Sequence, residues 1–217
     1  MDAIQKNIAD LREDYSLASL QEDQIDQDPV RQFETWFYEA MNSAISDVNA
    51  MTLCTVDKDS KPHSRIVLLK GIEQDRFLFY TNYHSHKGRE MEQDPHVSLV
   101  FFWKELQRQV RIEGRVAKIS EEESVAYFTS RPRESQLGAW ASHQSEELES
   151  REELQARFSE LQEIYKDKDI PKPPHWGGYA VSPELIEFWQ GRSNRLHDRL
   201  CFYLRNDQTW DLKRLNP

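Results

Sequence analysis

Between residues 51 and 215 the chain returns repeatedly to short apolar runs of period two, and this alternation limits the fold more than any other feature. Successive strand side chains point to opposite faces, so such runs read as half-buried strands. They fall at 51–56, 64–70, 76–81, 97–103, 107–119, 179–181, 186–190, 200–204 and 210–215. Helical text interrupts the strands instead of alternating with them. Asp28 before Pro29 caps an amphipathic stretch carrying Val30, Phe33, Phe37, Ala40, Met41 and Ala44. Residues 85–93 form a short helix before Pro95, and Ser120 with Glu123 makes a capping box for a helix that runs to Thr129 and ends at Pro132. A longer helix over 145–165 carries the stripe Leu154, Phe158, Leu161 and Tyr165. Strands with inserted helices predict a mainly β, α+β fold: an antiparallel barrel or closed sheet with peripheral helices. No G-x-G-x-x-G or Walker loop is present, which disfavours a doubly wound nucleotide fold.

The 217 residues suit a single domain over 28–217, preceded by a polar segment, 1–27, read as a short helix at 4–15 and a mobile connector. Formal net charge is −10, so an anionic ligand has to meet a local basic pocket, and nucleic acid and anionic membranes are poor partners. The two cysteines, Cys54 and Cys201, suggest neither a disulfide framework nor a metal site, and the seven histidines show no zinc-binding spacing. The N-terminus lacks a basic-then-apolar leader and no apolar run approaches membrane-spanning length, so a cytoplasmic protein is expected.

Four constellations could carry chemistry. On the strand 65–70, Arg65, Val67 and Leu69 share one face, with Ile66, Leu68 and Lys70 on the other; the two cations are either solvated strand ends or ligand contacts. Tyr80 and Thr81 precede Ser85, His86 and Lys87 at a helix start, where Ser85 either caps or joins the ammonium in holding a phosphate. Tyr127, Arg131, Arg133 and Ser135 cluster around Pro132. The run 189–199 carries Trp189 and then Arg195, His197 and Arg199. If extended, those last three share a face and repel unless an anion lies between them, while Asp198 points away to pair with another cation.

Taken in order, R-I-V-L-L-K at 65–70, F-Y-T-N at 79–82, R-Q-V at 108–110, S-R-P-R-E-S-Q-L-G-A-W at 130–140, F-W-Q-G at 188–191, R-L-H-D-R at 195–199 and the closing R-L-N-P resemble the pyridoxine/pyridoxamine 5′-phosphate oxidase family. The resemblance implies an antiparallel split β-barrel that binds flavin mononucleotide (FMN) at the interface of a homodimer. The implied reaction oxidises pyridoxamine or pyridoxine 5′-phosphate to pyridoxal 5′-phosphate, with O2 as acceptor and H2O2 as product.

Carried over by residue, the resemblance assigns FMN to Arg65, Ile66, Val67, Leu68, Leu69, Lys70, Tyr80, Thr81, Ser85, His86, Lys87, Gln109, Gln144, Ser145, Trp189 and Arg199. It assigns substrate to Lys70, Tyr127, Arg131 and Ser135, with Arg195 and His197 at the reacting carbon, and Arg12 and Tyr15 on a segment that closes as a lid. Two departures stand out: His86 replaces the family's usual arginine, and Glu13 breaks the basic pair before Tyr15. A split-barrel flavin reductase and a non-catalytic flavin or pyridoxal phosphate carrier are the alternatives. A reductase has no use for a second phosphate pocket, and a carrier would not reduce its flavin.

Overall fold

The computed structural model describes residues 13–217. Its elements run α1 (Pro29–Met41), β1 (Ala50–Val56), β2 (Pro62–Leu68), β3 (Gly71–Glu73), β4 (Arg76–Asn82), α2 (His86–Gln93), β5 (His96–Trp103), β6 (Arg108–Lys118), α3 (Glu121–Ser130), α4 (Arg133–Ala141), α5 (Arg151–Ile164), β7 (Trp176–Gln190), β8 (Asp198–Leu204) and β9 (Trp210–Arg214). The strand order is β2-β1-β5-β6-β7-β4-β3, with β8 attached to β7 and β9 to β8. The pairs β1–β2, β3–β4, β4–β7, β7–β8 and β8–β9 are antiparallel. None of the described helices is long and apolar enough to cross a membrane.

The chain packs as two compact units. One takes the described residues up to Val48 with Val100–Ile112 and Leu185–Pro217; the other takes Asn49–Leu99 and Glu113–Glu184. In the first unit, the Asp28 carboxylate accepts from the Val30 and Arg31 amides, and Pro29 opens α1 where its missing N–H costs nothing. The apolar stripe of α1 then buries Phe33 against Phe101 (ring centroids 4.9 Å) and Trp36 against Phe188 (5.2 Å). In the second unit, β1 alternates as its sequence demands, with Met51, Leu53 and Thr55 buried, and it pairs with β2 from Ala50 opposite Leu68 to Val56 opposite Pro62.

Several sequence expectations change. Residues 179–181 and 186–190 belong to one strand, β7, because the ladder continues past Pro183. A Cβ on Gly114 would lie 2.1 Å from the Ser182 carbonyl oxygen, and only glycine permits that approach. Pro132 ends α3 but also opens α4, its carbonyl accepting from the Ser135 and Gln136 amides. The last helix begins at Arg151, not 145, because Ser150 is its N-cap and accepts from the Glu153 amide.

Ile4 to Arg12, and with them most of the expected first helix, lie outside the described residues; Glu13, Asp14 and Tyr15 are not helical. Where a mobile connector was expected, Leu20 and Ile25 are buried. Asp198 accepts from the Leu20 amide (3.1 Å), Arg192 (3.0 Å) and Arg214 (2.8 Å), and Arg214 also bonds Glu22 and the Leu20 carbonyl. Asp198 is thus the ion-pair partner its sequence position implied. Asp198→Ala removes acceptors from three donors at once. The expected result is a loss of about 2 kcal/mol of stability, read by denaturant unfolding, with faster amide exchange at Leu20 than elsewhere in the first unit.

Candidate active site

An open pocket of about 960 Å³ lies within the second unit. That volume is at the upper end of what small-molecule sites use. Its walls come from β2 and the residue pair after it, from the end of β4, from the start of α2, from α3 and α4, and from the loop after α4. Both faces of β2 contribute to the pocket. Arg65, Ile66, Val67, Leu68 and Lys70 line the pocket, whereas Leu69 is buried in the core and does not. Ser85 is fully buried behind the wall, and His86 lies on it.

Lys87 and Arg65 form one cation set. The first turn of α2 sits hard against the end of β4, since a Cβ on Gly88 would lie 2.1 Å from the Tyr83 carbonyl oxygen. Ser85 caps that turn by accepting from the Gly88 amide and also accepts from the Lys87 ammonium at 3.0 Å, so it is a cap that fixes the ammonium from behind the wall. Lys87 donates further to Gln144 Oε1 at 2.6 Å, an oxygen that also accepts from Thr81 at 3.2 Å. Lys87 is only 8% exposed and, among the described residues, forms no ion pair. Burial, followed by the nearby Arg65 guanidinium, brings its pKa down from 10.5 to about 8. A buried ammonium beside another cation is costly, and an anion in the pocket relieves that cost.

The second set surrounds Arg131. Tyr80 and Tyr127 stack with ring centroids 3.7 Å apart, and Tyr80 also stacks on Trp176 at 5.5 Å. The Arg131 guanidinium lies 4.6 Å from the Trp176 ring. Its Nη1 is buried and has no hydrogen-bond partner among the described residues, and burial lowers its pKa. An unpartnered buried guanidinium nitrogen on a pocket wall, with Ser135 close by on α4, fits a second anionic group. Arg133 takes no part in the pocket: it donates to the Tyr165 and Lys168 carbonyls and holds α4 to the end of α5.

The first unit holds Gln109, Trp189, Arg195, His197 and Arg199, and here the expected extended strand is absent. Ser193, Asn194 and Arg195 make a turn in which Asn194 (φ 58°) and Arg195 (φ 63°) are left-handed, and β8 starts only at Asp198. Arg195 is exposed and does not share a strand face with Arg199. His197 Nδ1 accepts the Arg192 amide at 3.0 Å, which closes the turn. Burial, and after it the charge of Arg195, lowers its pKa. Arg199 is bound by Glu187 (2.8 and 3.1 Å) and by the Asn216 carbonyl (2.9 Å). The like-charge repulsion read from the sequence is therefore already removed: one group is turned out, one is pushed towards neutrality and one is paired. Trp189 lies 4.7 Å from His197, and Tyr15 packs against both rings at 5.9 Å, over Gly191. Gln109 is half-buried on β6. Arg12 lies outside the described residues.

Sequence reasoning missed Trp176, Glu90 and Glu187. An aromatic residue leading into Gly177 was the one available signal for Trp176. The two buried glutamates carry no local signal, because their partners come from other elements.

Residues 37–165 match the family model described as "Pyridoxamine 5'-phosphate oxidase", and residues 176–217 match the "Pyridoxine 5'-phosphate oxidase C-terminal dimerisation region". The chain belongs to the pyridoxamine 5′-phosphate oxidase family. Within that family it is 54% identical to the pyridoxine/pyridoxamine 5′-phosphate oxidase of Acaryochloris marina, over 100% of this chain and 99% of the relative. It is also 54% identical to that of Rubrobacter xylanophilus, over 98% and 97%. Among solved structures it resembles PhzG from Burkholderia lata in complex with tetrahydrophenazine-1-carboxylic acid, with TM-score 0.86, 31% identity and coverage of 93% of this chain and 100% of that one. A pyridoxamine 5′-phosphate oxidase-related, FMN-binding protein from Nostoc punctiforme shares the fold at TM-score 0.73 and 17% identity, with coverage of 89% and 100%. The fold is the split-barrel class that the strand pattern and motifs implied.

The lowered pKa of Lys87 has a consequence for stability. Between about 8 and 10.5 the unfolded chain binds a proton that the folded chain has released, so the Lys87 contribution to stability rises with pH across that window. In the ligand-free oxidase, Lys87→Met is expected to raise the melting temperature at pH 7, with the advantage shrinking as pH approaches 10. Parallel thermal melts of both proteins across that range check it.

Proposed function

We propose that this chain is an FMN-dependent oxidase that converts pyridoxamine 5′-phosphate or pyridoxine 5′-phosphate to pyridoxal 5′-phosphate, with O2 taking the electrons and H2O2 released. Ammonia is the further product from the amine. The observation that carries the reading is the presence of two separate cation sets in one pocket, Lys87 with Arg65 and Arg131 with Ser135, as two phosphorylated ligands require. The buried Lys87 ammonium fits the phosphate of FMN, and the orphaned Arg131 Nη1 fits that of the substrate. FMN, when bound, supplies the hydride acceptor that the side chains lack.

The chain's own residues supply position and electrostatics. Arg65, Lys87, Thr81 and Gln144 hold the flavin, with Ile66, Val67, Leu68, Tyr80, His86 and Ser145 on the pocket wall around it. Ser85 acts from behind, by fixing the Lys87 ammonium. Gln109, Trp189 and Arg199 complete the flavin contacts in a homodimer, an assembly supported by the dimerisation-region match. Arg131, Ser135, Tyr127 and Lys70 hold the substrate phosphate and leave the ring edge to Arg195 and His197. With Nδ1 occupied by the Arg192 amide, His197 has Nε2 left to carry or pass a proton. Tyr15, resting on Trp189 and His197, belongs to a segment that closes over substrate together with Arg12.

Purified protein should release FMN on heating, and its flavin should bleach when mixed anaerobically with pyridoxamine 5′-phosphate. A colourless protein, or a flavin that stays oxidised, would overturn the reading. Arg131→Leu should raise KM for the phosphorylated amine, with kcat/KM falling by roughly 30- to 150-fold, as expected for about 2–3 kcal/mol of lost charged hydrogen bonding. Flavin content should be unchanged. Arg195→Leu should lower kcat while the protein stays yellow, which steady-state kinetics beside an absorbance spectrum resolve.

A further inference from the structure

Behind the wall that carries Arg65 and Lys87 lies a closed ring of hydrogen bonds used by none of the roles above. Arg65 Nη1 donates to Thr55 Oγ1 at 2.5 Å, Thr55 Oγ1 donates to Glu90 Oε2 at 2.5 Å, and Arg65 Nη2 reaches the same carboxylate oxygen at 3.3 Å. The second carboxylate oxygen, Oε1, is taken by His63 Nδ1 at 2.6 Å. Three elements meet here. Thr55 stands on β1 opposite His63 of β2, Arg65 lies two residues further along β2, and Glu90 reaches across from α2. The Glu90 side chain is 9% exposed and the Arg65 side chain 23%, so the ion pair is shielded from water on the core side and open on the pocket side.

We propose that Glu90 is a positioning residue for the phosphate of the flavin: it holds the Arg65 guanidinium from behind, through the Thr55 ring, so that Arg65 Nε and the remaining Nη2 hydrogen are presented to the phosphate. The inference rests on the assignment of Arg65 and Lys87 to FMN. An arginine side chain loses several rotors when it binds an anion, and a ring that freezes it beforehand removes that cost from binding. The rival account of a buried carboxylate beside two cations is plain charge balance. It makes the opposite prediction: neutralising Glu90 would leave the pocket more positive and tighten its hold on a phosphate.

The experiment measures flavin fluorescence quenching with the full-length protein freed of flavin, titrated separately with FMN and with riboflavin, which lacks the phosphate. Glu90→Gln keeps the shape and removes the ion pair. The expected result is an FMN Kd raised about tenfold or more, with the riboflavin Kd moving less than about twofold. Thr55→Val breaks the ring, leaves the carboxylate in place and should give the same phosphate-selective loss in smaller degree. In an Arg65→Gln background, Glu90→Gln should add no further loss, because Glu90 acts through Arg65. An unchanged or lowered FMN Kd, parallel weakening of FMN and riboflavin, or additive losses in the double variant would overturn the proposal. Wild-type protein that fails to prefer FMN over riboflavin would overturn the flavin assignment itself, and the inference with it.

Discussion

The cost of burying a positive charge governs the second unit. Lys87 lies under the surface with a serine hydroxyl and a glutamine carbonyl as its ligands, and Arg131 leaves one guanidinium nitrogen without any partner. Neither has an ion-pair partner among the described residues. Hydroxyl and amide dipoles solvate a cation without neutralising it, so the net positive potential stays in the pocket, available to an anion. In a chain of net charge −10 this local excess is what separates the pocket from the rest of the surface.

Other cations are handled differently, and the contrast defines their work. Arg199 in the first unit is gripped by Glu187, a carboxylate that also receives Arg111, and its donors are largely spent. Arg65 is held by Glu90, Thr55 and the Leu53 and His63 carbonyls through Nη1 and one Nη2 hydrogen, and keeps Nε for the pocket. Arg133 spends its guanidinium on backbone carbonyls and joins two helices. Four arginines of one residue type thus span the range from orphaned ligand-seeker (Arg131) to structural tie, and the identity of the acceptors around each decides which it is.

The aromatic residues supply the complementary half. Tyr80, Tyr127 and Trp176 stack in nearly parallel planes beneath Arg131, which fixes the guanidinium without giving it a hydrogen-bond acceptor. In the first unit Trp189, His197 and Tyr15 pack ring against ring, and the turn at Asn194 and Arg195 is closed by His197 itself. Histidine there is a structural acceptor before it is anything else.

Strand and helix periods, the Asp28, Ser85 and Ser120 caps, and the motifs that mark the family were all legible in the sequence, because each depends on residues only a few positions apart. Alternation did not decide which of residues 65–70 line the pocket, because both strand faces contribute and Leu69 turns into the core. The docking of residues around Leu20, the continuity of β7 and the turn at 193–195 were not legible, since each involves partners far along the chain: Asp198 for Leu20, Gly114 for the strand at Pro183, and Asp14 and Tyr15, which accept from the Ser193 hydroxyl. The amino-acid order by itself determined which residues carry charge and, outside the turn before β8, on which local element most of them sit. Only the tertiary structure decided which charges are cancelled. Glu90 meets Arg65 across 25 residues and Glu187 meets Arg111 across 76, while Lys87 and Arg131 form no ion pair among the described residues, and that distribution of pairing leaves the pocket able to bind an anion.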